Sequence, residues 1–254
     1  QGKFTLLRDT RTDGSFLVHH FLSFYLRAGC KVCFVALLQS FSHYNIVAQK
    51  LVGKAAVPMG KCRTWSLSQQ WGAGGCSLAG SWVRRGTSQA PDTTSFSSSG
   101  STSNLKALFD FVRTSLTPSD SDSWKSPVLL VDDLSVLLSL GAAPAAVLDF
   151  IHYCRVVLCS QLRGNIVVLV HSNEDSEDEE NQVVVNSLCH HSDLILWVEG
   201  LATGFCKDVH GQIQIIKRVS LELTGEQDQV QIYQYKIQDK NVTFFARGLS
   251  AALL

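Results

Sequence analysis

A chain of 254 residues, 45% hydrophobic and 17% charged, can bury one substantial core and fits a single α/β domain better than two small ones. Its 22 Lys and Arg balance 22 Asp and Glu, so no global field draws it to nucleic acid or an anionic membrane; such binding has to come from a local patch or from partners. The longest apolar stretch, Val128–Leu148, is interrupted by Asp132, Asp133 and Pro144, which argues against a bilayer span.

Phe4–Leu7 reads as a first buried strand and Phe16–Arg27 as a helix closed by Gly29. The loop between them, Arg8–Ser15, has the strand-loop-helix setting of a phosphate-binding loop and lacks its chemistry. That chemistry needs G-x-x-x-x-G-K-[ST]: glycines let backbone N–H groups close on phosphate, Lys reaches the outer phosphates, and the hydroxyl holds magnesium. Here Asp9 stands at the first glycine, Gly14 fills the second, Ser15 replaces the Lys and Phe16 replaces the hydroxyl residue. Asp9 and Asp13 are expected to repel a triphosphate, so the cradle is expected to hold no nucleotide.

Lys31–Leu38 reads as a second strand, of the continuously apolar kind found inside parallel sheets, and Ser42–Leu51 as a short helix. Cys30-x-x-Cys33 sits at the start of that strand, where an offset of three sends the side chains to opposite faces. With no second cysteine pair to complete a zinc tetrad, buried thiols are favoured over a metal or redox site. The remaining cysteines lie mostly in apolar runs, the usage of a reducing compartment rather than a disulfide framework.

Residues 53–102 interrupt the pattern. Trp65, Trp71 and Trp82 lie among Gly- and Ser-rich runs, with Asp92 against Lys54, Lys61, Arg63, Arg84 and Arg85, and no periodicity is visible. One reading is a basic, tryptophan-bearing loop that stacks on single-stranded nucleic acid. The other is disorder or sequence foreign to the fold, such as a variant exon or shifted frame, and the irregular aromatic spacing favours it.

Ser103–Ser115 then reads as a helix, and Val128–Val131 as a third strand ending in Asp132-Asp133. Four apolar residues ending in carboxylate match the Walker B pattern, in which the Asp holds magnesium. Without the Lys and hydroxyl partners, metal at Asp132 is disfavoured, and capping of the next helix suffices for Asp133. Ala143–Leu162 reads as one long helix with Pro144 in its first turn, and Ile166–Val170 as a fourth strand. His171-Ser172 stands where a γ-phosphate sensor would sit, with plain strand closure as the favoured alternative. Glu174–Glu180 packs six carboxylates into seven residues, the mark of a solvated, self-repelling loop. Gln182–Cys189 reads as a helix followed by His190-His191, a pair without metal-ligand spacing to other residues, and Leu194–Val198 as a fifth strand.

Gln212–Arg218, Val230–Ile237 and Val242–Ala246 have no helices between them, as in an antiparallel meander. The expected fold is α/β: a doubly wound, mainly parallel sheet with C-terminal antiparallel strands.

Thr12–Leu22, Val32–Leu37, Pro127–Leu140, Leu148–Cys154, Glu199–His210 and Tyr233–Phe245 resemble the Elongator complex protein 6 family of vertebrates, over about residues 1–52 and 103–254. Residues 53–102 do not resemble the corresponding segment. The resemblance implies a RecA-like fold without a working P-loop, no catalytic residue, no cofactor and no metal. It implies assembly with Elongator subunits four and five into a hexameric ring, two copies of each. That ring binds tRNA within the complex that modifies wobble uridines, where the remaining Elongator subunits are further partners. Arg8 and Arg11, beside the loop, are candidate contacts to tRNA or a partner. Two competing readings are an ATPase with a degenerate loop using Asp132 and Asp133, and a regulatory module acting through the acidic loop. The expected location is the cytoplasm, with the nucleus as a second site, and no membrane is expected as a partner.

Overall fold

The computed structural model describes residues 2–52, 62–72, 75–80, 101–118, 125–172, 178–201, 204, 206–218, 227–238 and 241–246. In chain order the elements begin with β1 (Phe4–Thr10), α1 (Ser15–Arg27), β2 (Lys31–Ala36), α2 (Phe41–Val52), β3 (Cys62–Gly72), β4 (Gly75–Gly80) and α3 (Ser101–Leu116). They continue with β5 (Pro127–Val131), α4 (Ser135–Ser139), α5 (Pro144–Arg155), β6 (Asn165–His171), α6 (Glu179–His191), β7 (Leu194–Gly200), β8 (Gly211–Lys217), β9 (Gln229–Ile237) and β10 (Val242–Ala246).

One ten-stranded sheet runs β10-β9-β8-β7-β1-β6-β5-β2-β3-β4. The strands from β7 to β3 are parallel, while β8, β9 and β10 on one side and β4 on the other pair antiparallel. Every residue of β5 is buried, as are the five central residues of β6, because helices cover both faces there and leave no side of those strands for polar groups. On one face Leu6, Leu129, Val131 and Val168 meet Leu108 of α3, Phe150 of α5 and Val184 of α6. On the other, Leu7, Phe34, Leu130 and Leu169 meet Phe16, Val18 and Leu22 of α1 and Tyr44 of α2. The arrangement is the RecA-like, doubly wound one, with antiparallel strands at the C-terminal end as the alternation of patterns anticipates.

Three departures from the sequence reading matter most for the site and the core. First, β1 does not stop at Leu7: Arg8, Asp9 and Thr10 continue pairing with its parallel neighbours, so the expected loop Arg8–Ser15 shrinks to the turn that follows Thr10. Two flanking strands supply hydrogen bonds that outweigh the polar character of Arg8 and Asp9. Second, the helix expected over Ala143–Leu162 is α-helical only to Arg155 and finishes as a π-helical turn, Val156–Gln161. The carbonyls of Leu158 and Cys159 there accept from the N–H groups of Gly164 and Gly2, outside the helical ladder.

Third, the segment 53–102, which shows no periodicity in sequence, contains β3 and β4. Residues 62–66 extend the parallel sheet beside β2, and Trp65 is buried in the core under the helical layer, which removes it from any nucleic-acid stacking surface. Thr64 and Trp65 are both buried while Arg63 is exposed, a pattern too short and irregular to mark a strand by itself; the open edge of β2 supplies the template. Trp82, Arg84, Arg85 and Asp92 lie outside the described residues. Glu179 and Glu180, expected in a loop, form the first turn of α6, where Asp178 caps the Asn181 N–H and carboxylates complement the helix dipole. Residues 174–177 of the acidic run lie outside the described residues. Cys30 and Cys33 are both buried. Among the described residues, no helix is long and apolar enough to cross a membrane.

Candidate functional site

The C-terminal ends of β1, β5 and β6 meet at one edge of the sheet, where doubly wound folds gather their ligands. Register fixes the first contact: Asp9 pairs with His171 across β1 and β6. The Asp9 side chain is buried, and its Oδ2 accepts the Gly14 N–H at 2.7 Å. A Cβ added to Gly14 would stand 3.1 Å from both Asp9 Cβ and Oδ2, so glycine is what lets the carboxylate seat. The donor that would meet a phosphate oxygen in a working cradle is therefore taken by the chain's own Asp9. Asp9, expected to act as a loop charge repelling nucleotide from outside, is instead an internal acceptor within the cradle, because β1 continues past Leu7.

His171 ties this carboxylate to a second one. Its Nδ1 lies 2.5 Å from Asp9 Oδ1 and its Nε2 lies 3.3 Å from Asp133 Oδ2. The hydrogen bond to Asp9, helped by the charges of Asp133 and Asp13 and opposed by burial, raises the imidazole to about 9, so the ring is an imidazolium at neutral pH. Burial in turn raises Asp133 to about 6, against the attraction of His171 and the Ser135 N–H. The backbone of His171 is pinned as well: its N–H donates to Ser135 Oγ at 3.0 Å, and its carbonyl accepts from Asn181 Nδ2 at 2.8 Å. Plain strand closure thus understates this residue. Only the register of β1 against β6 reveals it, and no local motif encodes that register.

The Walker B-like pair divides its work. Asp133 Oδ1 accepts the Ser135 N–H at 2.9 Å, a turn just ahead of α4 rather than the expected helix cap, because the N-cap position falls to Leu134, which has no side-chain acceptor. Asp132 points the other way: Oδ1 accepts from Leu37 N–H at 2.7 Å, and Oδ2 from Leu38 and Gln39 N–H and from the Tyr44 hydroxyl at 2.7 Å. This carboxylate ties down the turn after β2, with burial pushing its pKa up against those donors. Both oxygens are committed within the protein. Among the described residues, no group of three or more His, Cys, Asp or Glu is placed to hold a metal ion.

The remaining residues of the expected loop are dispersed. Ser15 donates its N–H to Asp13 Oδ1 at 2.8 Å and begins α1. Phe16, where a metal-binding hydroxyl would stand, is buried with its ring 5.2 Å from that of Tyr235 on β9, and so joins the cradle to the antiparallel strands. Arg8 lies with its guanidinium 4.1 Å from the centre of the Trp197 ring and donates to Ser172 Oγ at 2.9 Å, on the opposite face of the sheet from α1. Arg11 is exposed at the tip of the turn with φ 57°, a left-handed conformation uncommon for a long side chain. The turn is held from below: a Cβ on Gly200 would come within 2.5 Å of the Arg11 carbonyl oxygen. Gly200→Ala is expected to displace the turn and cost about 1–3 kcal/mol, measured by chemical denaturation with β-sheet content unchanged.

Sequence comparison gives the family. The model of the family described as Elongation complex protein 6 matches residues 1–239. Elongator complex protein 6 of Homo sapiens is 56% identical over 256 residues, covering all of this chain and 94% of that protein. The Xenopus laevis protein of the same name is 54% identical, with 100% and 93% covered, and that of Danio rerio 44%, with the same coverage. These spans run through residues 53–102. Among solved structures, an uncharacterized protein from Pyrococcus horikoshii, in complex with an unknown peptide, superposes with a TM-score of 0.53 over 98% of this chain and 94% of that one, at 11% identity, a likeness of fold alone. By sequence along its whole length, the chain belongs to the Elongator complex protein 6 family.

Proposed function

We propose that this chain is a non-catalytic subunit of the Elongator complex that assembles with subunits four and five into a hexameric ring, two copies of each. The ring binds tRNA and supports modification of the wobble uridine, in the cytoplasm and the nucleus. Family membership supports the complex, and one observation supports the absence of catalysis: the cradle's Gly14 N–H is occupied by Asp9, with Ser15 and Phe16 where a Lys and a hydroxyl residue would act. The chain's contribution is then its surfaces, and interfaces in obligate assemblies, typically about 2,000 Å² or more, favour retaining such a scaffold without its chemistry. Co-expression with subunits four and five, followed by native mass measurement, tests the reading. The expected mass is that of two copies of each chain; a stable ring of the other two that excludes this chain refutes it.

The arginines beside the cradle carry a narrower expectation. Replacing Arg8 and Arg11 with Ala in the assembled ring is expected to weaken tRNA binding and reduce the slope of log affinity against log salt by about 0.7–0.9 for each phosphate no longer neutralised. Unchanged affinity and slope would assign both residues to internal packing.

A further inference from the structure

Asp9, Asp133 and His171 form a closed chain of opposite charges at the sheet edge, buried at both carboxylate ends. We infer that this cluster is an internal stand-in for a bound nucleotide and its cation: the Asp9 carboxylate takes the backbone donor of a phosphate oxygen, and the His171 imidazolium spans Asp9 and Asp133 as a metal ion would span phosphate and strand-end carboxylate.

Four observations carry it. The carboxylate fills the space beside Gly14 that a glycine-lined cradle leaves for an anion. Two neighbouring buried carboxylates are stabilised by a shared proton or by a cation between them, and here the imidazole meets both. Asp13 adds a third negative charge facing the ring from the turn, beside Asp9 of β1 and Asp133 after β5. Ser135 at the start of α4 and Asn181 of α6 fix the His171 backbone, and Asp9 and Asp133 hold its ring from either side. The cluster thereby ties β1, β6, the segment after β5 and the turn at Arg11–Gly14 into one arrangement. The turn is ordered by the chain's own charges, with no nucleotide needed to set it. The cluster's geometry supports this whether or not the chain enters a ring.

The test is made on the full chain by following the imidazole ring carbons and protons by NMR against pH, with His171→Gln assigning the resonance. His171 is expected to stay protonated through neutral pH with a midpoint near about 9, and the midpoint is expected to fall by about one pH unit or more in Asp9→Asn, which keeps the shape and removes the charge. In Asp9→Ala, sodium formate is expected to raise the melting temperature by several degrees over sodium chloride at equal ionic strength, by refilling the vacated acceptor position, with no such difference for the wild type. A neutral His171 at pH 7 in the wild type overturns the inference. So does an unchanged midpoint in Asp9→Asn, or a formate response in Asp9→Ala no larger than in the wild type. The wild-type titration decides the cation's part whether or not a variant folds.

Discussion

Asp132→Ala is expected to be the most damaging single change at the sheet edge, lowering stability by about 3–5 kcal/mol. The carboxylate is the common acceptor for three consecutive backbone N–H groups, Leu37, Leu38 and Gln39, and for the Tyr44 hydroxyl. Alanine leaves Leu37 N–H and the phenol unpaired in a region where both residues are buried, and each abandoned donor costs about 1–3 kcal/mol. Tyr44→Phe removes one donor and leaves three, so its cost is expected near about 1 kcal/mol. Chemical denaturation of both variants gives the comparison. Equal, small effects would mean that the turn after β2 is held by packing alone. The same pair separates structure from catalysis, because a magnesium ligand would be needed for activity and dispensable for folding, and Asp132 is expected to behave in the opposite way.

His171→Leu comes second, with an expected loss of about 2–4 kcal/mol at neutral pH, the low side of a broken buried pair because the ring is 39% exposed. The pH dependence carries more information than the magnitude. The folded-state pKa of His171 is raised from 6.5 to about 9. Its stabilisation is therefore complete below 6.5 and lost as pH rises through about 9. Asp133 is raised from 3.8 to about 6, so the stability that its protonated form favours is present below 3.8 and lost as pH rises through about 6. Removing the imidazolium pushes the Asp133 carboxyl further toward its neutral form. The gap between wild type and His171→Leu is thus expected to be widest at about pH 6.5, to shrink below it as acid neutralises Asp133, and to shrink above it as the wild-type ring loses its proton on the way to about 9. A gap that stays constant over that range would mean that the ring acts only by filling space.

How much of this is legible in the sequence depends on how local the cause is. The strands β2, β5 and β6 announce themselves as unbroken apolar runs, since burial on both faces leaves no polar alternation, and α5 is marked by Pro144 at its first turn. The loss of phosphate chemistry is equally plain, because Ser15 and Phe16 replace two named side chains at fixed positions. What replaces that chemistry is not plain. Asp9 becomes an internal acceptor only because β1 runs three residues past Leu7 between two parallel neighbours. His171 becomes a bridge only because β6 stands in register beside it. Those pairings join residues 162 positions apart, and no short-range pattern encodes them. The strand at 62–66 is hidden for a related reason: its regularity is borrowed from the open edge of β2, while Gly- and Ser-rich neighbours dilute any period of its own.

If the phosphate cradle is filled from within, the chain holds no nucleotide there. Calorimetric titration of the purified chain with ATP and magnesium at neutral pH tests this most directly. Only heats of dilution are expected, unchanged when magnesium is omitted; saturable, magnesium-dependent binding at one site per chain would contradict it.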